Sequence, residues 1–336
     1  MSIAAGDEAA APVFGAADRL LVVAPHPDDE TLATGGLIQR ALAAGAAVQV
    51  VFVTDGDNNP WPQRWIERRW RIDASARRRW GQRRRGEALV ALAVLGVATQ
   101  SVRFLGLPDQ GLTDLLVAGD ALERTLGAAI DAFAPTRLAG PSRHDRHPDH
   151  SAIAVALERI AVAPPVRRLA AVVHGPAGPG AVTLVLAAGE LERKRAALGA
   201  HRTQLALSRG RLGRLAGAVE RFRDETGVNE AGETGAGAAV KLPLPAVRRW
   251  LLRHAVLLIV ERAGQAPVRC RLPLSRWRRP LDGSLPVDSL RMTVGTAGVD
   301  VVAGPDCRLL HAKIERIGPR WVVFDVDGWH RRSPPG

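Results

Sequence analysis

The succession of apolar and polar positions divides the chain into two unlike parts. Residues 20–24 form an unbroken apolar run that stops at Pro25, the pattern of a strand buried on both faces. Residues 32–44 then read as a helix and 48–54 as a second strand. Further along, 87–95 predicts a helix stopped by Gly96, 102–105 a strand, 115–133 a helix and 137–140 another strand. This alternation predicts an α/β fold, a Rossmann-like, mostly parallel, doubly wound sheet whose ligands bind beyond the carboxyl ends of its strands. The loops after Ala24, Thr54, Leu105 and Gly140 then share one rim. Residues 170–174 and 182–186 predict strands, and 191–222 one or two polar helices.

The pattern changes after residue 225. Residues 226–239 are rich in Gly, Glu and Thr and poor in apolar side chains, as a linker is. Beyond them, short β-prone runs at 256–260, 268–272, 290–294, 299–302 and 321–324 are separated by Gly, Pro and Asp. The expected organisation is a flexible N-terminus (1–17), an α/β domain (18–225), a linker (226–239) and a C-terminal β-rich extension (240–330).

Composition narrows the class. With 336 residues, 46% hydrophobic and 24% charged, the chain has the balance of a folded globular protein rather than a disordered or fibrous one. Cys270 and Cys307 are the two cysteines; they form no CxxC pair, which favours a reducing compartment and leaves a single disulfide open. The net charge of +12 would raise nucleic acid or an anionic surface as a partner. Only Lys194, Lys241 and Lys313 are lysines, however; that bias towards arginine, beside abundant Ala and Gly, looks like a coding preference and weakens the inference. No signal peptide is legible in residues 1–17, and no run approaches the roughly 18–20 apolar residues of a membrane span. Cytoplasmic residence follows as an expectation, and peripheral contact with the inner membrane face is compatible with it.

The candidate chemistry lies in two loops. The first strand runs into Pro25-His26-Pro27-Asp28-Asp29-Glu30, one imidazole and three carboxylates where this fold places its ligands. Such a cluster is costly without a cation. Zn²⁺ takes nitrogen and oxygen donors, and a catalytic site needs three protein ligands with one position left open. This loop can supply two. The strand at 137–140 leads into Arg143-His144-Asp145-Arg146-His147-Pro148-Asp149-His150, which offers further imidazoles from the same rim. On their own, Asp28, Asp29 and Glu30 would more often cap the following helix, and His144 and His330 read as solvated histidines.

Both motifs resemble the signatures of the PIG-L/LmbE family of zinc-dependent N-acetylglucosaminyl de-N-acetylases: the first stands as Pro25–Glu30 and the second, His-Pro-Asp-His, as His147–His150. The resemblance covers about residues 18–225, with further family-like features in Arg84 and Glu87, and in Phe104-Leu105-Gly106 leading to Pro108-Asp109. It implies that His26, Asp29 and His150 hold a Zn²⁺ ion and that Asp28 is the general base on the attacking water. His147 then stabilises the oxyanion or protonates the leaving amine, oriented by Asp149. Arg84, Asp109 and Arg146 are the substrate-binding candidates. The chain has no tyrosine, so a tyrosine donor present in some relatives is replaced here, by His147 or Arg146.

One segment departs from that pattern. Residues 58–85 hold Trp61, Trp65, Trp70 and Trp80, and 64–85 contains ten arginines against Glu67 and Asp73, which concentrates most of the excess charge. Tryptophans beside a sugar-binding rim can stack on pyranose faces and arginines can clamp phosphates, so an anionic or lipid-linked glycoconjugate is one expectation; a surface helix packing its tryptophans inward is the other. Single-stranded nucleic acid is a weaker reading. The leading expectation is a hydrolase that removes an N-acetyl group from an N-acetylglucosamine-type sugar. An amidase on another small amide or thiol-sugar conjugate is the first alternative. A non-catalytic glycan-, lipid- or nucleic-acid-binding protein on the same fold is the second. The role of the β-rich extension, with Trp250, Trp277, Trp321 and Trp329, is not legible.

Overall fold

The computed structural model describes residues 12–162, 166–176, 181–225, 238–244, 254–274, 290–295, 298–304, 306–317 and 324–332. Residues 1–11 of the N-terminus, 226–237 of the linker, Trp250, Trp277, and 321–323 of the strand expected at 321–324 lie outside them. In chain order, the first elements are β1 (Arg19–Ala24), α1 (Asp29–Ala43), β2 (Ala47–Thr54), α2 (Pro60–Glu67), α3 (Ala74–Leu95), β3 (Val102–Leu107), α4 (Leu112–Ala118), α5 (Ala121–Phe133) and β4 (Arg137–Pro141). Then come α6 (Pro148–Arg159), β5 (Arg167–Ala171), β6 (Ala181–Val185), α7 (Ala188–Ala200), α8 (Arg202–Leu215) and β7 (Val219–Asp224). The remaining strands are β8 (Ala238–Pro243), β9 (His254–Arg262), β10 (Val268–Pro273), β11 (Leu290–Val294), β12 (Gly298–Ala303), β13 (Cys307–Arg316) and β14 (His330–Arg332). They fall into two compact units, one of residues 1–112, 123–142 and 160–227, the other of 113–122, 143–159 and 228–336.

The first unit is built on a seven-stranded sheet of order β3-β2-β1-β4-β5-β7-β6. β1, β2, β3, β4 and β5 pair in parallel, and β7 runs antiparallel between β5 and β6. β1 lies in the middle, with Val22 in register with Val50 on one side and Ala139 on the other. It is therefore buried along all but its first residue, which is why its sequence is continuously apolar instead of alternating. Leu20, Val22, Leu37, Ile38, Val50 and Phe52 belong to its core, and Phe52 stacks on Phe104 with centroids 4.9 Å apart. Because β1, β2, β3 and β4 are parallel, the chain leaves all four on one edge of the sheet, as the alternation predicts.

Two expectations are corrected. The helix expected at 115–133 is two helices, α4 and α5, parted at Gly119-Asp120, where two poor helix formers sit together. The polar helix expected to reach 222 ends at Leu215, and β7 takes its place. Glu220 and Phe222 are buried and Arg221 is exposed, a period of two that pairing with β5 and β6 turns into a strand.

The second unit holds α6 and two antiparallel sheets, β10-β9-β13-β14 and β11-β12-β8. Side chains from both sheets form one apolar core that includes Leu242, Val256, Leu258, Val301, Leu310 and Ala312. β13, the longest of these strands, has no counterpart among the runs expected from the sequence. Its residues Leu310, Ala312 and Ile314 enter the core, while His311, Lys313 and Glu315 point the other way and are buried too. Cys270 and Cys307 are free thiols. No helix among the described residues is long and apolar enough to cross a membrane.

Candidate metal and catalytic site

In the first unit, the loop that leaves β1 folds back on itself. The His26 amide donates to Asp29 Oδ2 at 3.0 Å, and His26 Nδ1 lies 3.1 Å from the same oxygen. His26 Nε2 is 3.3 Å from Asp109 Oδ1, and the other Asp109 oxygen accepts the Asn58 amide at 2.6 Å. Burial would raise the Asp109 carboxyl, but the hydrogen bond and charge of His26, with the Asn58 amide and Arg84, hold it below the ordinary carboxylate value. Glu30 is fully buried, accepts the Asp28 amide at 2.9 Å and meets His201 Nε2 at 2.9 Å. Burial alone would push the His201 imidazole down, yet the Glu30 carboxylate outweighs it and the net shift is upward.

Asp28 departs most from ordinary behaviour. It precedes α1, where an aspartate would be expected to cap, but its side chain makes no cap hydrogen bond, and its φ of 132° is a conformation that non-glycine residues rarely adopt. Burial pushes its carboxyl up to about 6, with Asp29 and Glu30 adding to the rise and Arg84 and His201 opposing it. Arg84, buried in the middle of α3, donates to the carbonyls of Pro27 at 2.5 Å and Gly56 at 2.7 Å and sits 3.4 Å from Asp28 Oδ1. It ties the loops after β1 and β2 together beside that carboxyl. Glu87 faces Arg83 and Thr203 instead.

In the second unit, the loop leading to α6 gathers His147, Asp149 and His150, all buried. The residue that organises them, Asp145, carried no assigned role in the sequence reading. Its Oδ1 accepts the His147 amide at 2.8 Å and its Oδ2 faces His150 Nδ1 at 3.2 Å. A carboxylate at Nδ1 holds the proton there and leaves the Nε2 lone pair as the donor. The Asp149 amide donates to His147 Nδ1 at 3.2 Å, so the neutral His147 ring carries its proton on Nε2. The Asp-x-His spacing of an Asx turn was the signal that could have found Asp145; His201, at the junction of α7 and α8, had none. Arg146 is exposed and His144 half-buried, while His330 pairs with Asp327 at 3.0 Å.

The donors that could hold a metal ion are His26, Asp29, Asp109 and His174 in the first unit and His147, Asp149 and His150 in the second. Their chemistry suits one. Two donors about 2.0–2.1 Å from a tetrahedral ion are themselves about 3.3 Å apart, close to the 3.1 Å between His26 Nδ1 and Asp29 Oδ2.

The arginine- and tryptophan-rich segment forms α2 and the first half of α3. Trp80 is buried, but Trp61, Trp65 and Trp70 are exposed by 42%, 69% and 80%, so they do not pack inward as a surface helix would require. The Arg64 guanidinium stacks on both Trp61 and Trp70, 4.9 and 5.0 Å from the ring centroids.

Residues 21–161 match the family model described as PIG-L: GlcNAc-PI de-N-acetylase, so over that segment the resemblance carried by the two motifs is borne out. The chain is 38% identical over 148 residues to the 1D-myo-inositol 2-acetamido-2-deoxy-alpha-D-glucopyranoside deacetylase of Mycolicibacterium gilvum (strain PYR-GCK), covering 39% of this chain and 50% of that protein. The protein of the same name from Mycolicibacterium vanbaalenii is 37% identical over 152 residues, with the same coverage. The chain thus spans about half the length of the curated relatives it matches. Among solved structures, the N,N'-diacetylchitobiose deacetylase from Pyrococcus horikoshii aligns with a TM-score of 0.48 and 20% identity, over 62% of this chain and 83% of that one.

Proposed function

We propose that this chain is a zinc-dependent hydrolase acting on a linear amide C–N bond, and that it removes the N-acetyl group from an N-acetylglucosamine-type sugar. One observation carries the reading. Neighbouring parallel strands β1 and β4 lead into two buried motifs, one with an aspartate lifted to about 6 and one with a histidine whose Nδ1 accepts the Asp149 amide. His26, Asp29 and His150 would hold the metal. When bound, zinc supplies Lewis acidity that polarises the amide carbonyl and lowers the pKa of water.

The remaining work falls to the chain's own residues. Asp28 takes a proton from the attacking water, and a pKa near 6 lets it accept that proton near neutral pH and give it up again. Arg84 holds Asp28 in place. His147 donates from Nε2, first towards the oxygen that gains negative charge and then to the departing nitrogen. Oxygen adds to the carbonyl carbon, the C–N bond breaks, and acetate and a free amine leave. Asp109 is engaged by His26 and Asn58, so of the three substrate-binding candidates the exposed Arg146 is the best placed to meet a substrate directly.

The relatives' names indicate a glucosaminide linked to a polyol, and we extend that substrate class to this chain. The exposed Trp61, Trp65 and Trp70 beside Arg68, Arg69 and Arg71 favour an anionic or lipid-linked member of the class, met in the cytoplasm or at the inner membrane face. The test is zinc content per chain after purification without chelator, together with acetate release from neutral and phosphorylated N-acetylglucosamine conjugates. About one zinc per chain with acetate release is the expected result. Failure to bind zinc even when it is supplied would sink the reading.

A further inference from the structure

The second motif does not stand on its own helix alone. Lys313, one of the three lysines in the chain, is fully buried on β13. Its Nζ donates to Ser151 Oγ at 2.9 Å and lies 2.8 Å from Asp325 Oδ2, an ion pair without hydrogen-bond alignment. Ser151, in the first turn of α6, directs its hydroxyl at the carbonyls of His147 and Pro148, each at 3.2 Å. The Thr113 hydroxyl reaches the same Pro148 carbonyl at 3.2 Å.

The segment around Asp325 grips the preceding loop by its backbone. The Asp325 amide donates to the Arg146 carbonyl at 2.9 Å and the Trp329 amide to the Arg143 carbonyl at 2.7 Å. At Gly328 an added Cβ would lie 2.0 Å from the Arg143 carbonyl oxygen, an approach only glycine permits. Phe324 meets the His147 ring edge-on at 6.1 Å. At the far end of α6, Glu158 binds Arg143 at 2.8 Å and His311 of β13 at 3.0 Å. Residues 143–159 are thus held at the turn, at both ends of the helix and along the loop by β13 and the segment 324–329, which lie outside the matched 21–161.

We infer that Lys313 is a positioning residue for the site: through Ser151 and Asp325 it sets the turn from His147 to His150, so the β-rich part of the chain completes the metal and catalytic centre. This rests on the proposed roles of His147 and His150. A buried ammonium is a costly way to fill a buried strand face and adds little net stability over a well-packed hydrophobic pair. A hydrogen bond to the hydroxyl beneath a ligand-bearing turn gives that cost a purpose, because partners behind a ligand typically change metal affinity 10- to 100-fold.

The test uses the full-length protein in two variants. Lys313→Met with Asp325→Leu removes both buried charges, so no lone charge destabilises the fold; Ser151→Ala removes the link while leaving the ion pair. Zinc affinity is read by competition with a chelator, geometry by the visible spectrum of the cobalt(II)-loaded protein, and turnover by acetate release. We expect folded variants with about tenfold or greater loss of zinc affinity, an altered cobalt spectrum, and a matching fall in kcat with KM unchanged. Should the double variant not fold, Ser151→Ala decides alone. Folded variants with zinc affinity, cobalt spectrum and kcat all within twofold of the wild type would overturn the inference. His150→Ala separates this from failure of the underlying reading: zinc affinity unaffected by that substitution removes His150 as a ligand, and the Lys313 inference with it.

Discussion

Two helices carry the two motifs, and each rests on a buried lysine–carboxylate pair, but the pairs are built differently. Under α1, Lys194 of α7 meets Glu220 of β7 at 2.6 Å, and Glu220 also accepts the amides of Gly36 and Leu37 at 2.7 and 2.9 Å. There the carboxylate does the holding, and the Lys194 stem passes close over Gly35, 3.1 Å from where a Cβ would lie. Under α6, the ammonium does the holding: Lys313 reaches a hydroxyl, and Asp325 balances its charge. The first pair belongs to the α/β unit itself, the second to β13 and the segment 324–329 of the C-terminal half. A motif and the parts that fix its geometry need not be neighbours in sequence, and a match that spans the motif can stop short of its support.

That comparison can be broken at four points. Asp28→Asn keeps the first motif's shape and removes the proposed base; acetate release should fall about 10²–10⁴-fold while zinc per chain stays unchanged. An equal loss of zinc would move Asp28 from the base to the ligand set. Lys194→Met leaves Glu220 buried opposite no cation, and by the usual cost of breaking a buried pair it should destabilise the protein by about 3–5 kcal/mol in urea unfolding. A change below about 1 kcal/mol would mean that the α1 amides satisfy Glu220 unaided.

The third point concerns acid. Burial alone would raise the Glu158 carboxyl, yet the His311 hydrogen bond and the charges of His311 and Arg143 outweigh it and hold it at about 2, against an ordinary 4.5. A depressed carboxylate stabilises the fold fully above its ordinary value. Its contribution, roughly 3 kcal/mol by linkage, is lost as pH falls from about 4.5 towards 2. Glu158→Gln should flatten that part of the stability profile of the second unit; an unchanged slope would assign the acid loss elsewhere. The smallest effect is expected from Asp145→Asn, which keeps the hydrogen bond to the His147 amide but weakens the hold on His150 Nδ1. A 10- to 100-fold weaker zinc affinity, with the fold intact, is the expected reading of a chelator titration, and unaltered affinity would leave Asp145 with only the turn to shape.

The site was legible where chemistry is local. His26, Asp28, Asp29, His147, Asp149 and His150 are conspicuous because polar, metal-binding residue types crowd two loops, each following a segment that reads as a strand. The supports were not. His201 is one histidine between two polar helices until α7 and α8 bring it to Glu30. Residues 219–222 were expected to close a polar helix, and only pairing between β5 and β6 made them part of a strand. In β13, the alternation of Leu310, Ala312 and Ile314 with His311, Lys313 and Glu315 is the pattern of a strand with one face in water, whereas both faces are buried.

What the amino-acid order determined by itself is therefore the periodicity of the buried strands, the parallel rim they share and the chemical character of the two loops on it. These depend on neighbours a few residues apart, and period and residue type record such neighbours directly. Only the tertiary structure decided which carboxyl is lifted, which imidazole nitrogen keeps its proton and which lysine lies beneath the turn. Those properties arise from burial and from the folded geometry of each loop, with partners as near as Asp149 is to His147 and as far as Lys313 is from Ser151, 162 residues along the chain. A polar side chain looks the same in sequence whether water or another element of the fold lies over it.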